Sequence, residues 1–140
     1  MRSRELDASW YAQSLLEAAD RAQTHPRISI GVRRLGLAEG YDIQREQVAL
    51  RQRRGERIIG YKLGVTTPAQ RETAGVSFPT LGTLTSSMVL EGSLRVAGML
   101  QPKVEPDMAV IFAHSRSDAA LSDEDIDRAI GSIHAGLEIV

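Results

Sequence analysis

Lys103-Val104-Glu105-Pro106-Asp107-Met108-Ala109-Val110-Ile111-Phe112-Ala113 reads as a strand with two acids at its head. A second apolar stretch, Ala135-Gly136-Leu137-Glu138-Ile139-Val140, carries a third acid. Residues i and i+2 of a strand share a face, so Glu105 and Asp107 converge. Two carboxylates a few ångströms apart in a low-dielectric setting repel each other. Glu138, flanked by Leu137, Ile139 and Val140, reads as a buried charge in need of a partner. A bound cation resolves all three, and oxygen-only ligands without cysteine favour Mg²⁺ or Mn²⁺ over Ca²⁺, partly open to water or substrate. The other reading is a half-exposed strand with its acids in water and Glu138 near a frayed terminus. The residues alone leave both open.

The rest of the chain places these stretches. Tyr11, Leu15, Ala18, Ala19 and Ala22 recur at helical spacing, which predicts a helix over 8–24 that ends before His25-Pro26, with a loop after it. A second helix is predicted over 37–54, with Gly55 as its C-terminal cap. Its basic end, Arg51, Arg53, Arg54 and Arg57, suits the negative end of the helix dipole. Short strands are expected over 57–65, 81–84 and 93–96. Thr67-Pro68-Ala69-Gln70 starts a short helix that Gly75 stops, and Ser122-Asp123-Glu124-Asp125 starts another that Gly131 closes.

Lys62 alternates with Gly60 and Gly64 on one face of its strand, opposite Ile59, Tyr61 and Leu63. The glycines leave room beside the ammonium, which fits an anion-binding group helped by the N–H groups near Thr67, and equally an edge-strand surface lysine. His25, His114 and His134 have no ligand-like spacing, although His134 lies near Glu138 in sequence, between a helix and a strand. Trp10, Tyr11, Tyr41 and Tyr61 are expected in the core or an interface. No Ser/His/Asp arrangement, P-loop or dinucleotide fingerprint is present.

Composition bounds the function. With 140 residues and a formal net charge of −1, the chain is the size of one globular domain without the electrostatic footprint of a nucleic-acid binder. The charged start Met1-Arg2-Ser3-Arg4-Glu5-Leu6-Asp7 does not fit a signal peptide, and no apolar run approaches the ~20 residues of a membrane span. No cysteine is present, which removes disulfides and thiolate chemistry and suits a cytoplasmic location without membrane partners.

The ordered series Leu37-Ala38-Glu39-Gly40-Tyr41-Asp42-Ile43-Gln44, Gly60-Tyr61-Lys62-Leu63-Gly64-Val65-Thr66, Gly75-Val76 with Pro79 and Gly82-Thr83-Leu84, Pro102-Lys103-Val104-Glu105-Pro106-Asp107 and Gly136-Leu137-Glu138-Ile139-Val140 resembles the 2-keto-4-pentenoate hydratase and 4-oxalocrotonate decarboxylase family of the fumarylacetoacetase-like superfamily. The resemblance implies an α+β fold, with a helical N-terminal region over 1–56 leading into a partial mixed β-roll over 57–140. It implies a homo-oligomer that binds Mg²⁺ or Mn²⁺ and acts on a small 2-oxo or 2-hydroxydienoic acid in the catabolism of aromatic compounds. By position, Glu105, Asp107 and Glu138 correspond to the metal carboxylates and Lys62 to the active-site lysine, with Thr66, Thr67 and Leu84 as substrate-binding residues. Asp107 stands where the family usually has Glu. Pro79-Thr80-Leu81-Gly82 stands where hydratases often have Pro-Asp-Phe-Gly, so Thr80 replaces an acid. Members of the family continue for on the order of 100 further residues. The expected activity is hydration of a 2-hydroxy-2,4-dienoate, with 4-oxalocrotonate-type decarboxylation as the alternative, and a catalytically silent, oligomer-forming fragment as a third reading.

Overall fold

The computed structural model describes residues 6–32, 35–115 and 120–140. They form two compact units, Met1–Leu100 and Gln101–Val140.

In the first unit, α1 (Ala8–Asp20) is capped by Asp7, whose carboxylate accepts the Trp10 N–H at 2.9 Å. It ends earlier than its apolar spacing predicts, because the chain turns with Ala22 at φ 50°. The stretch expected as loop contains a single helical turn, α2 (Ile28–Gly31). Next, α3 (Leu37–Arg53) closes as predicted: Gly55 takes φ 90° and the Glu56 N–H reaches back to the Arg51 carbonyl at 3.1 Å. α1 packs on α3, burying Ala12, Leu16 and Ile43, and Val32 is buried as well. Trp10 and Tyr61 stay largely exposed, so the expectation of a core position fails for both.

The strand β1 (Ile58–Gly64) pairs antiparallel with β2 (Thr80–Thr85), with a bulge between Ile58 and Gly60. α4 (Pro68–Ala74) lies between them in sequence, started by the predicted capping box and ended by Gly75 at φ 68°. The outer edge of β2 is covered by α3. The Gln44 side chain donates to the Leu81 carbonyl at 3.0 Å and accepts the Thr83 N–H at 3.2 Å, while the Tyr41 hydroxyl accepts the Leu81 N–H at 2.9 Å. Such edge groups would otherwise be open to another strand. After a 3-10 turn (Ser86–Met88), the strand expected over 93–96 does not form. Gly92 and Gly98, at φ 72° and 95°, turn the chain on both sides of it.

In the second unit, β3 (Val104–Phe112) pairs antiparallel with β4 (Ile130–Ile139), and Lys103 and Val140 extend the ladder by two backbone bonds of 2.7 and 3.0 Å. α5 (Asp123–Ala129), capped by Ser122 as predicted, runs directly into β4. Gly131 is therefore a strand residue and not the helix stop expected of it, and His134 lies inside β4 and not before it. A Cβ on Gly131 would stand 3.1 Å from the Ile111 carbonyl oxygen and 3.2 Å from the Ala113 nitrogen, beside the bulge between Ile111 and Phe112. The fold is α+β, and both described strand pairs are antiparallel.

Candidate functional site

The register of the β3–β4 ladder decides which side chains share a face. Glu105 pairs with Glu138, Asp107 with Gly136, Ala109 with His134 and Ile111 with Ser132. Directly opposed residues project to the same side, so the three acids and His134 lie on one face around Gly136. The other face is apolar throughout: Val104, Pro106, Met108 and Val110 opposite Ile139, Leu137, Ala135 and Ile133. The period-2 pattern thus gives a two-sided hairpin, with every candidate metal ligand on one side.

The side chains are less drawn together than the backbone. Among the described residues no three His, Asp or Glu side chains converge closely enough to hold an ion. Asp107 Oδ1 accepts the N–H of its own neighbour Met108 at 2.9 Å. Glu105 and Asp107 are exposed and Glu138 is half-buried, which corrects its reading as a buried charge. Of its apolar neighbours Ile139 is half-buried, and Leu137 and Val140 are open to water at 74% and 51% exposure. His134 Nε2 lies 2.8 Å from the Ser132 hydroxyl on the same face.

The other candidate residues belong to the first hairpin. Lys62 pairs with Gly82, Gly60 with Leu84 and Gly64 with Thr80, so all six share a face. Three of the six are glycines, and the functional groups left on that face are Lys62, Thr80 and Leu84. Gly82 is the addition over the sequence reading, which saw only the glycines of the lysine's own strand. Of the residues after β1, Thr67 is committed to its helix: its hydroxyl accepts the Gln70 N–H at 3.3 Å, and its own N–H donates to Gln70 Oε1 at 3.0 Å. The Thr66 carbonyl accepts from Arg71 at 2.5 Å. Val65, a β-branched residue, holds φ 56° between them and β1, a strained left-handed conformation.

No family model matches the chain. It is 31% identical over 132 residues to a 2-hydroxyhexa-2,4-dienoate hydratase of Comamonas testosteroni, an alignment that spans 91% of this chain and 50% of that protein. A 4-oxalocrotonate decarboxylase of a Pseudomonas species is 31% identical over 131 residues, spanning 92% and 50%. A 2-keto-4-pentenoate hydratase of Burkholderia vietnamiensis is 33% identical over 102 residues, spanning 71% and 39%. The chain is similar to members of the 2-keto-4-pentenoate hydratase and 4-oxalocrotonate decarboxylase family over up to about half of their length. The fold agrees, with a TM-score of 0.88 to the 4-oxalocrotonate decarboxylase of Pseudomonas putida G7 in complex with magnesium and adipate, at 22% identity, covering 98% of this chain and 54% of that one. The chain spans about half the length of the curated family members it matches.

Besides the family's motif positions, the structure singles out Glu56, which the sequence reading passed over. The chain reversal that ends α3 aims its carboxylate at the end of β2. There it accepts the hydroxyls of Thr85 and Ser87, both at 2.5 Å, and pairs with Arg51 at 3.3 Å. Donation by Ser87 and then Thr85, reinforced by the Arg51 charge, holds the Glu56 carboxyl below the usual glutamate range. Thr85 is fully buried, so Glu56 fixes the β1–β2 hairpin to α3 through a polar contact shielded from water on one side. A lone Glu after a Gly gives no sequence signal, because its partners lie 29 and 31 residues away.

Proposed function

We propose that the chain carries the metal-binding and anion-binding elements of a hydratase that converts a 2-hydroxy-2,4-dienoate to a 4-hydroxy-2-oxo acid. The observation that carries this reading is the register that sets Glu105 opposite Glu138 with Asp107 on the same face, in a relative of enzymes so named. Three oxygen donors on one open sheet face, without sulfur, suit a hard divalent ion in ligand type and number, and Mg²⁺ or Mn²⁺ is the proposed cofactor. When bound, such an ion supplies Lewis-acid charge for the substrate's C1 carboxylate and C2 oxygen.

Hydration needs a proton to leave the C2 hydroxyl and one to arrive at C5, giving a conjugated 2-oxo acid. Water then adds its oxygen at C4 and a hydrogen at C3. In this reading Glu105, Asp107 and Glu138 hold the ion, Lys62 meets an anionic group of the substrate, and Leu84 gives that group an apolar neighbour on the same face. Thr66 and Thr67 line the turn after β1, where a ligand would have to compete with the bonds that the Thr67 hydroxyl and N–H and the Thr66 carbonyl make within the chain. Residues 1–56 serve as a helical scaffold and 57–140 as the catalytic portion. The protein is proposed to be cytoplasmic and homo-oligomeric. Among the described residues no helix is long and apolar enough to cross a membrane.

Decarboxylation of a 4-oxalocrotonate-type dicarboxylate is the second reading, favoured by the likeness to enzymes of that name in sequence and fold. Incubation with 2-hydroxypenta-2,4-dienoate or with 4-oxalocrotonate, with Mg²⁺ or with EDTA, separates the two by loss of the dienoate chromophore or release of CO₂. Metal-dependent loss of the dienoate is the expected result. Turnover of neither substrate by a chain that still binds Mn²⁺ would leave the metal site and reject the activity.

A further inference from the structure

The second hairpin has one blunted edge and one open edge. The reciprocal backbone bonds between Lys103 and Val140 fix the phase of its ladder. Hydrogen-bonded and non-hydrogen-bonded pairs alternate from there. His134, Gly136 and Glu138 therefore turn their N–H and C=O groups inward to β3, whereas Ile133, Ala135, Leu137 and Ile139 turn theirs outward. On β3 the same alternation puts Pro106 at an outward position, where the missing N–H blunts the edge. The β4 edge has no such break. Its register is continuous from Ser132 to Ile139. Among the described residues no hydrogen bond reaches the outward backbone groups of this stretch.

We propose that two copies of the chain join through this edge, β4 antiparallel to β4 about a two-fold axis at Gly136. The pairing runs from Ser132 to Val140 and leaves the junction with α5 at Ile130 outside it. Ile133 stands opposite Ile139 and Ala135 opposite Leu137, which gives about eight backbone bonds from hydrogen-bonded pairs across the axis. Between them His134 stands opposite the second copy's Glu138, twice by symmetry. These are pairs of the closer, non-hydrogen-bonded type, with Cα atoms roughly 4.5 Å apart. The Ser132 hydroxyl lies 2.8 Å from His134 Nε2, which leaves Nδ1 to donate to the carboxylate. A carboxylate accepts several hydrogen bonds, so Glu138 keeps the contacts it makes within its own chain. Moving the axis to Ala135 or to Leu137 sets His134 against Gly136 or Val140 and loses the imidazole–carboxylate pair. Side-chain chemistry thus selects the axis at Gly136. The acid face of each copy then gains an imidazole from the other, beside Glu138.

The inference gives the proposed homo-oligomer a surface, and its test needs neither metal nor substrate. The chain has no cysteine, so a single introduced one reports only on its symmetry mate. In Gly136→Cys the nearest atoms to the new Cβ, at 3.7 and 3.9 Å, leave it room. Across the axis the two Cα atoms fall within disulfide range, whereas those of Ala135→Cys do not, so in EDTA under air Gly136→Cys should form the disulfide dimer at least about tenfold faster. By sedimentation equilibrium, His134→Glu should weaken the dimer by about tenfold, because each Glu138 then meets a carboxylate in place of an N–H donor. His134→Lys, which keeps a donor, should hold the dimer. Ala135→Pro removes an outward N–H, as Pro106 does on β3, and should give a monomer. Equal oxidation of the two cysteine variants, or equal dimer affinity of His134→Glu and the parent, overturns the proposal. Self-association without a Gly136→Cys disulfide keeps the homo-oligomer reading and overturns this surface, while a monomer at every concentration overturns both.

Discussion

Glu105 and Glu138 stand directly opposite each other in the β3–β4 ladder, two positions from the Lys103 and Val140 backbone bonds that close it. Like charges so placed destabilise a strand pair, and a shared cation reverses the sign of that contact. Glu105→Gln should therefore leave the metal-free protein as stable or more stable by about 0.3 kcal/mol. Its Mn²⁺ affinity should fall by at least about tenfold, since even an outer-shell partner is worth that much. Calorimetric titration and urea melts of the same sample check both arms. Equal Mn²⁺ affinity in variant and parent would remove Glu105 from the ligand set.

Asp107 shares that face but is one methylene shorter than the family's usual Glu, and its carboxylate folds back onto the Met108 N–H. Asp107→Glu gives longer reach and less attraction to its own backbone. Tighter Mn²⁺ binding is expected, by about 1 kcal/mol, the net worth of one such hydrogen bond. Weaker binding in the variant would mean that the short side chain sets the geometry.

Two glycines of β4 should respond in opposite ways to the same change. At Gly131 an added methyl meets backbone atoms at 3.1 and 3.2 Å that cannot step aside, so Gly131→Ala should cost about 1–3 kcal/mol. At Gly136 the nearest atoms are the Asp107 carbonyl oxygen at 3.7 Å and Ala109 Cβ at 3.9 Å, both ordinary contacts. Gly136→Ala should keep or raise stability by about 0.5 kcal/mol through reduced chain entropy. It also puts a methyl among the acids and should weaken Mn²⁺. Melting temperatures and Mn²⁺ titrations of the pair test the register: a fold-breaking Gly136→Ala contradicts the open face described.

Gly131 and Glu56 show where sequence reasoning ran out. Local rules identified α1, α3, α4 and α5 and the caps at Gly55, Gly75 and Ser122, because each depends on residues within one turn. The period-2 pattern found Glu105 and Asp107 on one face. It had no means of giving the cross-strand register that adds Glu138, nor of placing Gly82 opposite Lys62 or Thr80 opposite Gly64. Gly131 carried the right residue for the wrong reason, since a glycine after a helix reads as a stop until the neighbouring strand is seen beside it. The assumed burial of Glu138 came from its sequence neighbours, and burial is a property of layers, not of neighbours.

The apolar face opposite the acids has the exposure of an unfinished core. Met108 is 67% exposed, Ile133 58% and Leu137 74%. Such a patch drives association, so concentration-dependent sedimentation is expected. Met108→Lys with Leu137→Glu should reduce it while leaving Mn²⁺ affinity unchanged, because both side chains point away from the acid face. A parent chain that sediments as a monomer at all concentrations would show the patch to be too small or too interrupted to self-associate.

Acid should loosen the attachment of the first hairpin to α3 through Glu56. In the folded chain the Ser87 and Thr85 hydroxyls hold its carboxyl below the ordinary range, and unfolding returns it to about 4.5. A carboxyl depressed on folding adds stability that is fully present above the unfolded value and is lost as pH falls through the folded one. At pH 7 Glu56→Gln should therefore be less stable than the parent by about 1–2 kcal/mol, the scale of hydrogen bonds to a charged acceptor. Below the glutamate range the two should approach each other, because protonation removes the same charge from the parent. Urea midpoints measured from pH 7 down to pH 3 distinguish this from a merely steric effect of the substitution. Parallel curves, equally spaced at every pH, would show that the hydroxyls of Thr85 and Ser87 hold the Glu56 side chain by shape and not by its charge.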